Sequence, residues 1–378
     1  MEQRQAIRVL HVLTAMNRGG TETLLMNLYR SIDKSKIQFD FAVSETSKGD
    51  YDDEIEAMGG KIIHYPRYKG KNHFAYKKWW RGFFSKNPEY KIVHGHIGST
   101  AALYLGIAKK LGRYTIAHSH STNTIISVHA LIYKLYSYPT RYVADYFFGC
   151  SRQALVDRYG RRIANNNQKS RVFNNAIDAA KFAYNQGMRE KIRKAYGVAD
   201  DTIVIGTVGR LTLPKNPWET IRICEELKRR KINYVFWWFG TGELKERIIE
   251  SVLKKNLSEY IFLYGTSPNI YDVLQGMDIF LFPSLWEGLG IACVEAQAAG
   301  LPTLCSDTIP QEAKVTELGK FLPLGKTEIW CDEIEKIITE ISVDEYSRPN
   351  TYQSIVNAGY EISEVAHDLE EFYLSKIE

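Results

Sequence analysis

The sequence predicts an α/β protein built from two doubly wound parallel halves. Three observations predict it. Short apolar, β-branched runs alternate with amphipathic helical stretches, the pattern of a parallel sheet covered on both faces. The alternation breaks after residue 171 and resumes with a new strand at 202–210. The chain has 378 residues, too many for one typical hydrophobic core, so two domains are expected.

In the first half, IRVLHVLT (7–14) reads as a buried strand, NRGG (17–20) as a turn, and TETLLMNLYRSI (21–32) as a helix through Leu24, Leu25, Leu28 and Ile32. Strands follow at 39–45, 61–66, 91–98, 113–120 and 145–151. In the second half, TIVIGTVGR (202–210) is a strand and PWETIRICEELKRRK (217–231) a helix opened by Pro217. Further strands fall at 233–242, 260–266, 277–284 and 301–307. The expected division is 1–172 and 173–359, with NNAIDAAKF (174–182) as the linker. An amphipathic helix at 360–378, with Val365, Leu369 and Phe372 on one stripe, is expected to return to the first domain. Ligands of such sheets bind beyond the carboxyl ends of the strands, and two facing domains predict a cleft.

Composition excludes several classes. A net charge of +5, from 49 basic and 44 acidic residues, is too mild for a nucleic-acid binder. The five cysteines are scattered, with no C-x-x-C, which argues against disulfides and a zinc framework. The first apolar run is interrupted by Arg8 and His11 and makes a poor signal peptide. No stretch reaches the ~20 apolar residues of a membrane span. A cytoplasmic protein is the expectation.

The informative residues follow strands. In PSLWEGLGIACVEAQAAGLP (283–302), a strand runs into a glycine-rich turn and a helix ended by Gly300. Backbone amides after Gly288, Leu289 and Gly290 form the positive end of that helix, which suits a phosphate. Glu287 and Glu295 flank it, and carboxylates at neutral pH accept hydrogen bonds from hydroxyls. They could equally serve the helix dipole and a solvated face. In GRLTLPKN (209–216), Arg210 ends a strand and Lys215 precedes a helix. The pair could hold a diphosphate or merely line a basic loop. FGTGE (239–243) supplies Gly240 and Gly242 but lacks the third glycine of a dinucleotide fingerprint.

Gly19 and Gly20 permit a close approach to a ligand, or a tight turn. His94 and His96, then His118 and His120, stand two apart at the ends of two strands, which suits a cleft lining as well as a structural role. No carboxylate cluster accompanies them to complete a metal site. Residues 67–91 carry eight Lys or Arg and eight aromatics against Glu89. Trp79, Trp80, Phe83 and Phe84 among them suit an anionic membrane surface, or the helix's own core. DYD (50–52) is read as acidic residues opening a helix, not as a metal-nucleotide motif.

NRGGTE after the first strand, GRLTLPKN, FGTGE and PSLWEGLGIACVEAQAAGLP, in this order, resemble the retaining glycosyltransferases of family 4. The opening RVLHVLTAMNRGGTETLLMNLYRSIDKSKIQFDF and AHSHST resemble the bacterial exopolysaccharide and capsule branch. The likeness spans roughly residues 7–310. It implies the GT-B architecture, two Rossmann-like domains facing across a cleft. It implies that Arg210 and Lys215 neutralise a donor diphosphate, Glu287 holds donor-sugar hydroxyls and Glu295 the ribose. The loops at Gly19, Gly20, Gly240, Gly242, Gly288, Leu289 and Gly290 would line the donor. The active-site histidine would be His120 or His118, with His120 favoured, and His94 and His96 would lie toward the acceptor. NNAID departs from the family's N-G-I-D and leaves only the linker geometry in doubt.

The implied reaction moves a hexose from a UDP-linked donor to a lipid-linked glycan at the inner face of the cell membrane, without a divalent metal or other cofactor. A UDP-GlcNAc 2-epimerase-like enzyme shares this architecture and would turn over donor alone. A non-catalytic sugar-binding protein shares it too, though it need not keep Arg210, Lys215, Glu287 and Glu295 together.

Overall fold

The computed structural model describes residues 6–120, 134–342 and 347–377. Ser121 and Thr122, the small polar residues that follow His120, lie outside this set. The chain forms two compact units, Met1–Ile177 with Gly359–Glu378, and Asp178–Ala358.

The first unit holds β1 (Ile7–Leu13), β2 (Ile37–Val43), β3 (Ile62–His64), β4 (Ile92–Gly95), β5 (Tyr114–Ser119), β6 (Tyr146–Gly149) and β7 (Ser170–Val172). They form one parallel sheet in the order β3-β2-β1-β4-β5-β6-β7. The second unit holds β8 (Ile203–Val208), β9 (Tyr234–Phe239), β10 (Ile261–Gly265), β11 (Ile279–Phe282), β12 (Thr303–Ser306) and β13 (Gly319–Leu322). Its parallel order is β10-β9-β8-β11-β12-β13. Each order reverses beside its first strand, between β1 and β4 and between β8 and β11. That reversal opens a crevice at the carboxyl ends of those strands.

Side chains alternate across the sheet as the strand period requires. Val9 and Leu13 join a core under the Gly20–Ser31 and Ile362–Leu374 helices, while Leu10 and Val12 join the core on the opposite face. The Ile362–Leu374 helix buries Ile362, Ala366, Leu369 and Tyr373, and the predicted stripe residues Val365 and Phe372 flank this line as partly buried contacts. Its return is stitched by backbone bonds from Ile177 to Tyr360 and from Ile362 to Ile177, each 2.9 Å. Because of this pairing the first unit ends at Ile177, past the expected 172/173 division.

Residues 67–91 need correction. In the His73–Lys86 helix, Tyr76, Trp80 and Phe84 recur every four residues and are fully buried against the sheet. Trp79 and Phe83 stack beside them, with ring centroids 5.2 Å apart and partly buried. The density of aromatics is that of a core-facing helix, so Trp80 and Phe84 are not available to a membrane. Phe74, 85% exposed, is the exception. No helix among the described residues is long and apolar enough to cross a membrane.

The DYD stretch caps the chain locally. Asp52 accepts from the Gly49 amide at 2.8 Å and Asp50 from the Arg18 amide at 3.0 Å. Asp52, Asp53 and Glu54 then occupy the first turn of the Asp52–Ala57 helix.

Candidate active site

The second unit gathers its predicted residues at the β8/β11 reversal. Gly209 and Arg210 leave β8, and a short turn at Leu213–Lys215 leads into the Pro217–Arg229 helix. Asn216 takes a left-handed conformation, with φ of 50°, so that Pro217 can occupy the first helical position. β11 runs out through Pro283 and Ser284 to the Glu287–Gly290 turn. The Leu285 amide donates to the Pro214 carbonyl at 2.8 Å and ties the two loops together.

This tie brings Lys215 and Glu287 into contact. Lys215 Nζ donates to Glu287 Oε1 at 2.6 Å and lies 4.4 Å from the centre of the Phe282 ring. The two side chains are 23% and 14% exposed, so the pair is largely shielded from water. The sequence assigned them separate tasks, diphosphate and sugar. The structure couples them: Glu287 is oriented by a cation that keeps further N–H groups for an anion. Arg210, on the same loop as Lys215, is exposed and, among the described residues, makes no ion pair.

The Ile291–Ala298 helix starts at Gly290, whose φ of 91° only glycine adopts without strain. Its N-cap residue, Gly290, has no side chain to bond the first amides, and the start of a helix is the end that suits an anion. Leu289, in contrast, turns its side chain into the core at 2% exposure and can contribute only backbone. Glu295 is partly exposed on the same helix. Desolvation pushes its carboxyl up to about 7, with the Lys215 charge opposing.

Gly240 and Gly242 also have a structural task. A Cβ on Gly240 would strike the Gly209 carbonyl, and one on Gly242 the Leu211 carbonyl. The Leu211 amide also donates to Thr241 at 3.0 Å. These glycines brace the Arg210 loop with their backbones. Gly240→Ala, at a φ of 146°, is expected to lower the melting temperature and ligand affinity together, measured by thermal melts with and without ligand.

In the first unit, Gly19 precedes the Gly20–Ser31 helix in extended conformation. A Cβ on Gly20 would meet nothing, so close packing within the chain does not demand glycine there. A close approach from outside remains its best explanation.

The histidines form one cluster of five. His11, absent from the sequence prediction, pairs in register with His94 across β1 and β4. The two-residue period of β1 was the available signal. His11 Nδ1 lies 3.0 Å from His96 Nε2, and His96 Nδ1 lies 2.8 Å from His120 Nε2. His118 packs 3.9 Å from the His120 ring, between Phe148 and Phe173. Burial holds all five neutral: His11 and His120 are pushed down to about 3, and His94, His96 and His118 well below 6.5.

His94 is a correction. It is 1% exposed and bonded to the Tyr373 hydroxyl at 2.6 Å, a contact to the last helix rather than to an acceptor. His118 is also buried, at 4%, whereas His96 and His120 are partly exposed.

Residues 188–359 match the family described as glycosyl transferases group 1. The chain is 32% identical over 344 residues to the glycosyltransferase EpsF of Bacillus subtilis (strain 168), covering 87% of each chain. The chain belongs to the group 1 glycosyltransferases.

It is also 27% identical over 312 residues, 77% of each chain, to an Escherichia coli enzyme. That enzyme is the UDP-Gal:alpha-D-GlcNAc-diphosphoundecaprenol alpha-1,3-galactosyltransferase. Among solved structures, Anabaena HepE in complex with UDP superposes with a TM-score of 0.79 at 15% identity, over 97% of this chain and 100% of that one. The architecture is GT-B. In a group 1 glycosyltransferase, the Arg210, Lys215, Glu287 and helix-amide constellation has a ready use: two cations and a set of N–H donors beside hydroxyl acceptors fit a nucleoside diphosphate joined to a sugar.

Proposed function

We propose that this glycosyltransferase moves a hexose from a UDP-linked donor to a polyprenyl-diphosphate-linked oligosaccharide, with retention at the anomeric carbon, in exopolysaccharide or capsule assembly. The observation that carries this reading is the Lys215–Glu287 pair joining the loop after β8, which also carries Arg210, to the glycine-started helix after β11, at the carboxyl ends of neighbouring strands. The UDP-sugar and the diphosphoundecaprenol acceptor in the name of the Escherichia coli relative support the two substrates.

In the reaction the bond from the anomeric carbon to the β-phosphate oxygen breaks, and its electron pair leaves with the diphosphate. Arg210, Lys215 and the helix amides stabilise that charge where it develops. The acceptor hydroxyl bonds to the anomeric carbon on the face the diphosphate leaves. Its proton passes to a phosphate oxygen. Glu287, engaged by Lys215, positions sugar hydroxyls and does not act as a nucleophile. With the diphosphate held by two cations, no divalent metal is required at this step. A neutral His120 offers the donor sugar a hydrogen bond rather than a charge.

Glu295 gives the reading a pH signature. Its carboxyl is raised from 4.5 to about 7, so its burial costs folding stability as pH rises through that interval, fully above about 7. Ribose hydroxyls bind best to the ionised form. Affinity for UDP-glucose, whose phosphates stay ionised here, should rise about tenfold between pH 6 and 8. Glu295→Gln should flatten that slope. A slope that survives in Glu295→Gln, by isothermal titration, removes Glu295 from the ribose.

A lipid-linked acceptor calls for contact with the bilayer's inner surface. Phe74, Leu135, Tyr136 and Tyr142 are exposed at 85%, 66%, 48% and 69%, and Tyr68, just before the His73–Lys86 helix, makes a ring contact with Tyr136. Exposed Arg67, Lys69, Lys71 and Lys78 supply positive charge on the same segment as Phe74. The deciding assay offers labelled UDP-hexoses with a synthetic polyprenyl-diphosphate saccharide. A product with the donor's anomeric configuration supports the proposal. Isomerised donor without acceptor would identify an epimerase, and binding without product a non-catalytic protein.

A further inference from the structure

We propose that Cys293 and Cys305 form a redox-sensitive dithiol, whose oxidation to an intrachain disulfide locks the helix after β11 and weakens nucleotide binding. The two sulfurs lie 2.9 Å apart, and the residues are buried, at 0% and 1% exposure. All five cysteines are free thiols. The fold sets the contact. Cys293 stands on the first turn of the Ile291–Ala298 helix and Cys305 on β12. Gly300, with φ of 70°, ends that helix and turns the chain back toward the strand. Cys331, by contrast, donates to the Ile223 carbonyl at 3.8 Å.

Both ends of the bridge adjoin the nucleotide site. The Cys293 amide donates to the Gly290 carbonyl at 2.8 Å, and Glu295 follows two residues later. Cys305 pairs in register with Phe282, whose ring centre lies 4.4 Å from Lys215 Nζ. A disulfide is about 2.05 Å long, so oxidation draws helix and strand together by roughly 0.9 Å. A misplacement on the order of 1 Å at a preorganised site can cost about 10²-fold in rate.

With a peroxide as oxidant the step balances. One thiolate sulfur attacks a peroxide oxygen, the O–O bond breaks, and the departing hydroxide takes the proton and leaves as water. The second sulfur attacks the sulfenic acid so formed. The S–S bond forms, the S–O bond breaks, and a second water carries away the second thiol proton. Each sulfur loses one electron and each peroxide oxygen gains one. Burial, the neighbouring Cys305 and the Glu287 charge hold the Cys293 thiol well above its usual range, and the thiolate is the reactive form. The pair is therefore slow to oxidise while the helix is seated, and reacts when the helix opens locally.

The test treats the full chain with hydrogen peroxide or dithiothreitol, alkylates it in denaturant and maps the peptides by mass. Peroxide should remove two of the five thiols and link the peptides that carry Cys293 and Cys305, and dithiothreitol should reverse this. By isothermal titration, UDP affinity should fall at least tenfold in the linked chain and return on reduction. Cys293→Ala and Cys305→Ala should each prevent the link and make UDP affinity insensitive to peroxide; Cys305→Ala keeps the test valid if Cys293→Ala disturbs its helix. Five thiols surviving peroxide, a link between other cysteines, or a linked chain with parental UDP affinity would overturn the proposal. The loss of affinity rests on the donor-site reading, whereas the link is read without nucleotide. A reduced chain that binds no UDP counts against that reading, while the Cys293–Cys305 link still decides the dithiol.

Discussion

Arg210→Ala should lower kcat/KM for sugar transfer by about 10²–10³-fold, the usual loss when one preorganised donor to a developing oxyanion is removed. The fold should hardly notice. Arg210 is exposed and has no ion pair among the described residues, so the stability change should stay within about 0.5 kcal/mol. The combination separates a substrate contact from a structural one. Lys215→Ala is a less clean probe, because it also strands Glu287, 14% exposed, without its cation. Steady-state kinetics with a saturating acceptor, beside a thermal melt, read both quantities. Parental kcat/KM in Arg210→Ala would remove this residue from the diphosphate.

Trp80→Ala should have the opposite profile, a large loss of stability from a residue remote from the chemistry. Its ring is fully buried and lies 5.0–5.5 Å from the rings of Tyr65, Phe84 and Tyr104. Large-to-small changes of this kind cost about 3–5 kcal/mol. For a unit of this size that is a fall in Tm on the order of 10 °C. Phe74→Ala, at 85% exposure, should leave Tm unchanged and instead weaken binding to anionic vesicles. Equal vesicle binding by the parent and Phe74→Ala would take the bilayer contact away from this helix. A stable Trp80→Ala would contradict its place in the core.

Much of this molecule is legible in the sequence, for identifiable reasons. The central strands are apolar, β-branched and bounded by turns, so β1, β8 and β11 stand close to their predicted positions. The edge strands β7 and β13 escape notice because they are three and four residues long, with half-exposed positions such as Arg171 and Lys320. Arg210, Lys215 and Glu287 are visible because each follows a strand or precedes a helix, and Glu295 because it lies within the helix that a glycine-rich turn opens. Their pairing is not, since the Lys215–Glu287 bond depends on a loop–loop contact across 72 residues. The aromatic helix misleads for a related reason. Composition records how many rings it carries, and only the four-residue spacing of Tyr76, Trp80 and Phe84 says which way they face. The histidine cluster needed the β1–β4 register, which brought His11 beside His94.

The central claim is a nucleoside-diphosphate site built on Arg210 and its neighbours. Thermal-shift titration of the parent and Arg210→Ala with UDP, GDP, ADP and dTDP tests it most directly. A ligand that binds only the folded state stabilises it by about 2.7 kcal/mol at a hundredfold excess over Kd. The account predicts a saturating rise in Tm with UDP for the parent, a smaller rise or none with the other three, and loss of the UDP response in Arg210→Ala. No shift with any nucleotide, or the same UDP shift in both proteins, would contradict it.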